Sequence, residues 1–333
     1  MKAFIIERYG KKEIGRIAEM PEPALQDDDV LVDIHAAAVN VLDIKIRSGE
    51  FKLILPYRVP LILGHDVAGK VIRVGSGVQR FKPGDAVYAR PDDFRIGTFA
   101  ERIAVKESAL AQAPANLTMA EAASLPLVAL TAWQVLVETA KLKKGQKVFI
   151  QAGSGGVGAI AIQLAKHLGA VVATTTSTEN VAWVKALGAD LVIDYKKQDF
   201  ASLLRDYDLV LNSQGNNELK KSLSILRRGG HLVSISGPPT PAFALQQGLA
   251  WPFKQVLRLL SFGVRHKARK LGITYTFLFM RADGTQLQQM TSLIESGAVK
   301  PVVDRVFPFA ETADALAYVA TGRTKGKAVI RVK

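Results

Sequence analysis

The stretch that most constrains this chain is Val148–Gly158, which reads VFIQAGSGGVG. Lys147–Ala152 is an apolar run of the kind that fills a buried parallel strand, and it leads directly into Gly153-Ser-Gly155-Gly156-Val157-Gly158. Beyond the turn, Val157, Ile160, Ala161, Leu164 and Leu168 recur at helical spacing until Gly169 stops the helix. Strand, glycine turn and helix in this order give each glycine a task. Gly153 permits the tight turn, Gly155 lets a pyrophosphate approach the backbone, and Gly158 lets the helix pack close to the strand. The helix N-terminus adds free N–H groups and a partial positive charge. The pattern predicts dinucleotide binding, with Gly153, Gly155, Gly156, Val157 and Gly158 on the phosphate side.

The rest of the chain divides around this unit. Residues 1–125 read as short strands punctuated by glycine and proline: Lys2–Arg8, Val30–Ala38, Asp66–Val74, Ala86–Ala89 and a last one reaching Val105. That pattern suggests a compact barrel-like domain. Residues 126–297 alternate strand and helix, with strands at Val171–Thr175, Leu191–Ile193, Leu209–Leu211, His231–Ile235 and Ile273–Met280. Alternation implies a doubly wound parallel sheet with right-handed crossovers. Lys300–Lys333 returns to short strands and is expected to rejoin the first domain. The fold class is therefore α/β, a β-rich domain plus a dinucleotide-binding one.

Composition excludes several alternatives. A chain of 333 residues, 48% hydrophobic, can bury two cores. No apolar run approaches the roughly 20 residues of a membrane span, and the N-terminus alternates like a strand and does not resemble a signal peptide. There are no cysteines, which excludes disulfides and thiolate metal sites and suggests a cytoplasmic setting. Lysine plus arginine number 44 against 30 acids, a net +14 that favours anionic partners. No nucleic-acid-binding motif accompanies that charge, so no nucleic-acid partner is expected. No G-x-S-x-G elbow and no Walker ending are present. One segment, Pro238–Gly272, fits the alternation poorly. It carries Trp251, Phe253, Val256, Leu257, Leu259, Leu260 and Phe262 beside Lys254, Arg258, Arg265, Lys267, Arg269 and Lys270, with no acid between. It reads either as an extra packed helix or subunit contact, or as a basic amphipathic face for weak peripheral membrane contact through 254–270.

A set of motifs then carries a family resemblance. These are Asn40-Val-Leu-Asp43 with Arg47-Ser-Gly49; Gly64-His-Asp-Val-Ala-Gly69; Phe81-x-Pro-Gly-Asp85; Gly97-Thr-Phe-Ala-Glu101; Leu130-Thr-Ala-Trp133; the glycine turn; Gly188-Ala-Asp with Asp194-Tyr195; and Gly326-Lys-Ala-Val-Ile330. Together they resemble the medium-chain dehydrogenase/reductase superfamily, in its zinc-independent quinone oxidoreductase and enone (2-alkenal) reductase branch. The resemblance implies a GroES-like catalytic domain from 1–125 and 298–333, a Rossmann domain at 126–297, an active cleft between them and a homodimer. Zinc-using members hold their metal at positions matching Asn40, His65 and Leu127, of which only His65 keeps a ligand type, so no metal is expected. The implied activity is hydride transfer from NADPH to a quinone or to the C=C bond of an α,β-unsaturated carbonyl. Crystallin-like and RNA-binding relatives that keep NADPH without turnover supply the alternative.

The resemblance also distributes roles. Asn40 orients the nicotinamide ribose or the substrate carbonyl, with Asp43 bracing its loop, and Thr131 faces the carboxamide. Ser177 lies near the adenosine, where Thr174–Thr178 stands in place of the acid that would hold a 2′-hydroxyl, which favours NADPH; family members often carry a lysine where this chain has Asn180-Val181, and Lys185 and Tyr195 are the residues expected to compensate. Phe277 and Phe279 close over the nicotinamide, and Lys327 belongs to the cofactor set. Lys45, Arg47 and Tyr57 fall on the substrate loop, where Tyr57 either polarises a substrate oxygen or simply packs.

Overall fold

The computed structural model describes every residue except Leu53. Contacts divide the chain into two units, Met1–Leu130 with Arg281–Lys333, and Thr131–Met280.

The first unit begins with β1 (Lys2–Ile6), β2 (Arg16–Glu19), β3 (Asp29–Val39), β4 (Leu61–Ile62), β5 (Asp66–Val74), β6 (Ala86–Ala89), β7 (Arg102–Lys106) and β8 (Leu110–Gln112). The second contains β9 (Lys147–Ile150), β10 (Val171–Thr176), β11 (Leu191–Asp194), β12 (Tyr207–Asn212), β13 (Leu226–Ser234) and β14 (Thr274–Phe277). The chain then returns to the first unit with β15 (Val303–Pro308) and β16 (Lys327–Arg331).

In the first unit β2-β1-β4 form a small sheet, and a larger one runs β15-β16-β3-β5-β6-β8, with β7 also pairing β3. The long strand β3 is the spine. Its alternate residues Val30, Val32 and Ile34 enter a core with Val67, Val71, Phe81, Val87, Ile103, Val105 and Leu110, and Leu31 and Ala37, on the opposite face, are buried as well. Strand β16 lies between β15 and β3, Ala328 opposite Val39 and Arg331 opposite Ala36. Successive alanines at 36–38, all buried, allow this close pairing of a strand that is covered on both faces.

The second unit is a six-stranded parallel sheet in the order β11-β10-β9-β12-β13-β14. Phe149, Ala173, Ile193, Val210 and Leu232 fill its interior with Phe200, Leu219, Leu223 and Ile273. The chain winds outward from β9 to β11, then crosses to β12 and winds the other way. The crevice beyond the carboxyl ends of β9 and β12 is thus the topological switch point, where doubly wound sheets bind ligands.

The unit boundaries at Leu130 and Met280 differ from 125 and 298. The helix Gly284–Glu295 explains the larger shift. Its apolar side, Leu287, Met290 and Ile294, is buried, and it rests on β6 and β8 of the first unit. Tyr88 donates to the Leu287 carbonyl at 2.9 Å and Thr291 donates to the Gln112 carbonyl at 3.0 Å. Gly284 has no room for a side chain, since a Cβ there would lie 2.2 Å from the Leu110 carbonyl oxygen. Helical periodicity announces such an element but does not say which sheet it covers. Likewise Lys300–Lys333 contains a helix, Thr312–Ala320, between its two strands.

Candidate functional site

The glycine turn follows β9 at the switch point. The left-handed residue of the turn is Ala152, at φ +53°. Gly153 is wedged against β10, where a Cβ would stand 2.4 Å from Thr174 Oγ1. Gly158 sits over the turn itself, with its missing Cβ 2.3 Å from the Ala152 carbonyl and 2.8 Å from Gly153 Cα. Gly155 differs from both. A Cβ there would meet only the Ala152 carbonyl, at 3.4 Å, so the fold leaves space at this point. Gly155 is also the N-cap of the helix Gly156–His167 and has no side chain with which to cap it. The first-turn amides of Gly156, Val157 and Gly158 are therefore presented outward, as an anion-binding helix end requires.

Beneath the turn lies a buried polar network. Gln151 Nε2 donates to Ser222 Oγ at 2.9 Å, and Gln151 Oε1 accepts from Asn212 Nδ2 at 2.7 Å. Asn212 Oδ1 in turn accepts from Ser234 Oγ at 2.6 Å. Gln151, Asn212 and Ser234 end β9, β12 and β13 or follow them directly, and Ser222 comes from the helix Asn216–Ile225, so the network fixes the strand ends around the crevice. Satisfied side-chain chains of this kind are rigid.

The residues expected near the adenosine gather at the ends of β10 and β11. Ser177 is buried, and its hydroxyl accepts from Asn180 Nδ2 at 2.9 Å; Trp183 Nε1 holds the other end of that amide at 2.9 Å. Ser177 also donates to Glu179, whose carboxyl is pulled down to about 2 by its own backbone N–H, then by Lys196 and Ser177. Lys196 pairs with Glu179 at 3.1 Å, and Lys197 lies 3.7 Å from Asp194, which accepts from Thr178 at 2.7 Å. Tyr195 is exposed on the same loop. The cations of this corner are thus Lys196 and Lys197, which sequence reading overlooked: they follow the next strand, not the next helix. Phe277 and Phe279 both pack on Phe243, with ring centroids at 5.2 and 5.6 Å. Both are half-buried, combining a core role with partial exposure. Thr131 is buried in the helix Pro126–Trp133.

In the first unit, Asn40 ends β3 and starts the helix Val41–Ser48. Its side chain meets Asp66 and Lys327. Asn40 Nδ2 donates to Asp66 Oδ2 at 2.8 Å, and Lys327 Nζ donates to Asn40 Oδ1 at 2.5 Å and to Asp66 Oδ2 at 2.9 Å. Asp66 Oδ1 accepts the Leu127 N–H at 2.7 Å. All three side chains are buried. The register of β16 against β3 puts Lys327 one step beyond the Ala328–Val39 pair, so the lysine reaches Asn40 because two strands of one sheet are neighbours. Both ends of the Asn40 amide are engaged within the protein, whereas an ammonium has three donors and Lys327 uses two here.

Next to it, Asp43 Oδ2 accepts the Asn40 N–H at 2.7 Å while Asp43 Oδ1 holds His65 Nδ1 at 2.5 Å. Both residues are fully buried, and His65 Nε2 has no partner. Tyr57 is not part of this cluster by bonding. Its hydroxyl donates to the Asp93 carbonyl, and burial, reinforced by the charge of Asp93, holds it above the usual phenol range. The phenol is therefore a committed hydrogen-bond donor and a poor proton source at neutral pH. Asp93 is itself held by the buried Arg90. On the same segment Lys45 Nζ stands over the Phe51 ring at 6.0 Å, and Arg47 Nε is buried without a partner.

A β-rich unit with a buried Asn-Asp-Lys cluster, joined to a parallel sheet bearing a dinucleotide turn, defines a two-part nicotinamide dehydrogenase architecture. Family comparison agrees: the description "Alcohol dehydrogenase GroES-like domain" matches residues 26–115, and "Zinc-binding dehydrogenase" matches 187–330. The chain is 36% identical over 341 residues to an NADPH-dependent alkenal/one oxidoreductase, chloroplastic, of Arabidopsis thaliana, covering 99% of this chain and 79% of the relative. Among solved structures it resembles the quinone oxidoreductase from Coxiella burnetii, with TM-score 0.87, 30% identity, and 100% and 99% coverage of the two chains. A mycobacterial protein solved in complex with NADPH superposes with TM-score 0.83 at 26% identity, covering all of both chains. The chain belongs to the medium-chain dehydrogenase/reductase superfamily, in the branch of the quinone oxidoreductases and enone reductases.

Proposed function

We propose that this protein is a zinc-independent, NADPH-dependent reductase of quinones or of the C=C bond of α,β-unsaturated carbonyls. The observation that carries the reading is the buried ammonium of Lys327 against Asn40 and Asp66. It places a fixed positive charge beside two of the positions, Asn40 and Leu127, that hold metal in zinc-using members. The donor set does not suit zinc, which takes three protein ligands in an open catalytic site. Asn40 Oδ1 is bound to an ammonium, Leu127 offers no ligand atom, and among the described residues no group of three or more His, Cys, Asp or Glu can hold a metal ion.

Bound NADPH supplies a hydride to an electron-poor carbon. The chain's own residues do the rest. The amides of Gly156–Gly158 take the pyrophosphate, and Ser177 with Lys196 takes the 2′-phosphate, Lys196 exchanging Glu179 for the stronger anion. Lys327, with its remaining N–H, and Asn40 hold the nicotinamide ribose or the acceptor oxygen, where a preorganised cation stabilises developing negative charge. Asp43 and His65 keep Asn40 in place. Thr131, Phe277 and Phe279 border the nicotinamide, and Tyr57, its proton committed to the Asp93 carbonyl, packs on the substrate loop. Direct transfer between aligned partners requires no covalent intermediate on the protein. A homodimer completes the reading: β14 is an edge of the six-stranded sheet, and an edge strand is a ready template for pairing.

The test is consumption of NADPH, with NADH in parallel, against a quinone, a short 2-alkenal, a cyclic enone and a saturated ketone. Turnover with the quinone or the enones and none with the ketone is expected. Cofactor binding without turnover on any acceptor would transfer the protein to the non-catalytic relatives of this fold. Lys196→Ala and Ser177→Asp should each weaken NADPH by about tenfold or more while leaving NADH within about twofold, as expected of charge-assisted phosphate contacts. Equal losses for both cofactors would remove these residues from the 2′-phosphate.

A further inference from the structure

The segment that fitted the alternation poorly forms two helices, Trp251–Leu260 and Phe262–Lys270. The first is an amphipathic helix turned inside out. Pro252, Phe253, Val256, Leu259 and Leu260 share one side of it at i, i+3, i+4 and i+7 spacing, and that side faces solvent: Leu259 is 76% exposed, Leu260 61%, Val256 50% and Phe253 43%. Trp251 and Phe262, at its two ends, are 70% and 60% exposed. No residue of this helix is buried. A helix that covered the sheet would show the reverse, since a globular surface helix turns its apolar stripe inward. The corner between the helices is fixed, because Arg265 donates to Ser261 Oγ at 3.1 Å and to the Arg258 carbonyl at 3.2 Å. The apolar crest is therefore held in place by the fold.

Charge identifies what covers it. The chain has no Asp or Glu from 219 to 282, whereas 254–270 contributes six cations. On the second helix His266, Lys267, Arg269 and Lys270 are all exposed beside Phe262. None of the six cations forms an ion pair among the described residues. A second copy of the chain is a poor occupant: an isologous contact would set six cations against six with no acid to separate them, and like charges across an interface are strongly unfavourable. An anionic lipid surface satisfies both features at once. Apolar side chains enter the acyl boundary, and lysines and arginines meet the headgroups.

We infer that residues 251–270 form a docking face for anionic phospholipid bilayers, which holds the protein at a membrane surface without spanning it. No helix among the described residues is long and apolar enough to cross a membrane. The inference stands apart from the assignment of the reaction, and its test does not use turnover.

The experiment is co-sedimentation of the full chain with vesicles of phosphatidylcholine, alone or mixed with phosphatidylserine, at low and high salt. Binding to the mixed vesicles only, lost at high salt, is expected. Leu259→Glu with Leu260→Glu, and separately Lys267→Glu with Lys270→Glu, should each lower the partition coefficient by about tenfold or more. NADPH affinity, which reads the intact second unit, should be unchanged in both variants. Failure to sediment, or equal sedimentation with both vesicle types, overturns the inference. So does a leucine variant that converts a dimer to a monomer in size-exclusion chromatography while vesicle binding persists, because the crest is then a subunit interface.

Discussion

Lys327→Met should cost the protein about 5 °C in melting temperature and nearly all NADPH-dependent reduction. The lysine is buried with Asp66, so its loss leaves a carboxylate in the interior with no cation beside it. Breaking such a pair from one side costs about 3–5 kcal/mol, and in a protein of this size each kcal/mol moves the midpoint by about 1.5 °C. Asn40 Oδ1 loses its donor in the same step. A second substitution separates the two consequences. Lys327→Met combined with Asp66→Asn removes both charges, and a neutral buried pair carries no such penalty, so the melting temperature should recover most of the loss. Turnover should not recover, because the cation proposed to stabilise the acceptor is still missing. Calorimetry and steady-state kinetics on the three variants decide the matter: a double variant with restored turnover would make Lys327 a structural residue only.

Gly155→Asp should leave the fold intact and weaken NADPH by about 100-fold or more. Gly155 is the position in the turn where a Cβ meets nothing closer than 3.4 Å, so the side chain can be accommodated. It would project where the pyrophosphate is expected, and a carboxylate against a phosphate costs several kcal/mol, each 1.4 kcal/mol being tenfold. Gly155→Ala provides the steric control and should retain most of the affinity. Gly158→Ala should behave in the opposite way. Its methyl would lie 2.3 Å from the Ala152 carbonyl, so the helix must move off the turn, and stability falls along with binding. Fluorescence titration of the reduced nicotinamide, read beside thermal melts, separates the three. Unchanged affinity in Gly155→Asp would move the phosphate elsewhere.

The different visibility of these residues in the sequence has a physical origin. Gly158 is legible because it answers a local backbone demand, close approach to Ala152 and Gly153; Gly153 is expected to permit the tight turn, but the left-handed residue is Ala152 and Gly153 instead makes room for Thr174 of β10. Strands β5 and β6 were legible to the residue because glycine and proline bracket them. The partnership of Lys327 with Asp66 was not, since 261 residues separate them and only the pairing of β16 with β3 brings them together. The same holds for Gln151 with Asn212 and for Lys196 with Glu179. Periodicity found the exposed helix Trp251–Leu260 but could not tell an apolar stripe turned inward from one turned outward. Asp43, expected to brace the Asn40 loop, accepts the Asn40 N–H with one oxygen and holds His65 with the other.

The position of β16 also sets an order of events during synthesis. It is an inner strand of its sheet, flanked by β15 and β3, yet it is supplied by residues 327–331. The parallel sheet of the second unit is complete once β14 has been made, so a growing chain can close that unit while the first still lacks its inner strand. Until then Ala36–Val39 of β3 lack the partner that β16 supplies, and Asp66 is a carboxylate without its counter-ion. Long-range pairings of this kind form late and leave exposed strand edges in the interval. The chain thus acquires its nucleotide-binding unit before its lysine, and a chain ended between residues 300 and 326 should retain dinucleotide without reducing anything with it.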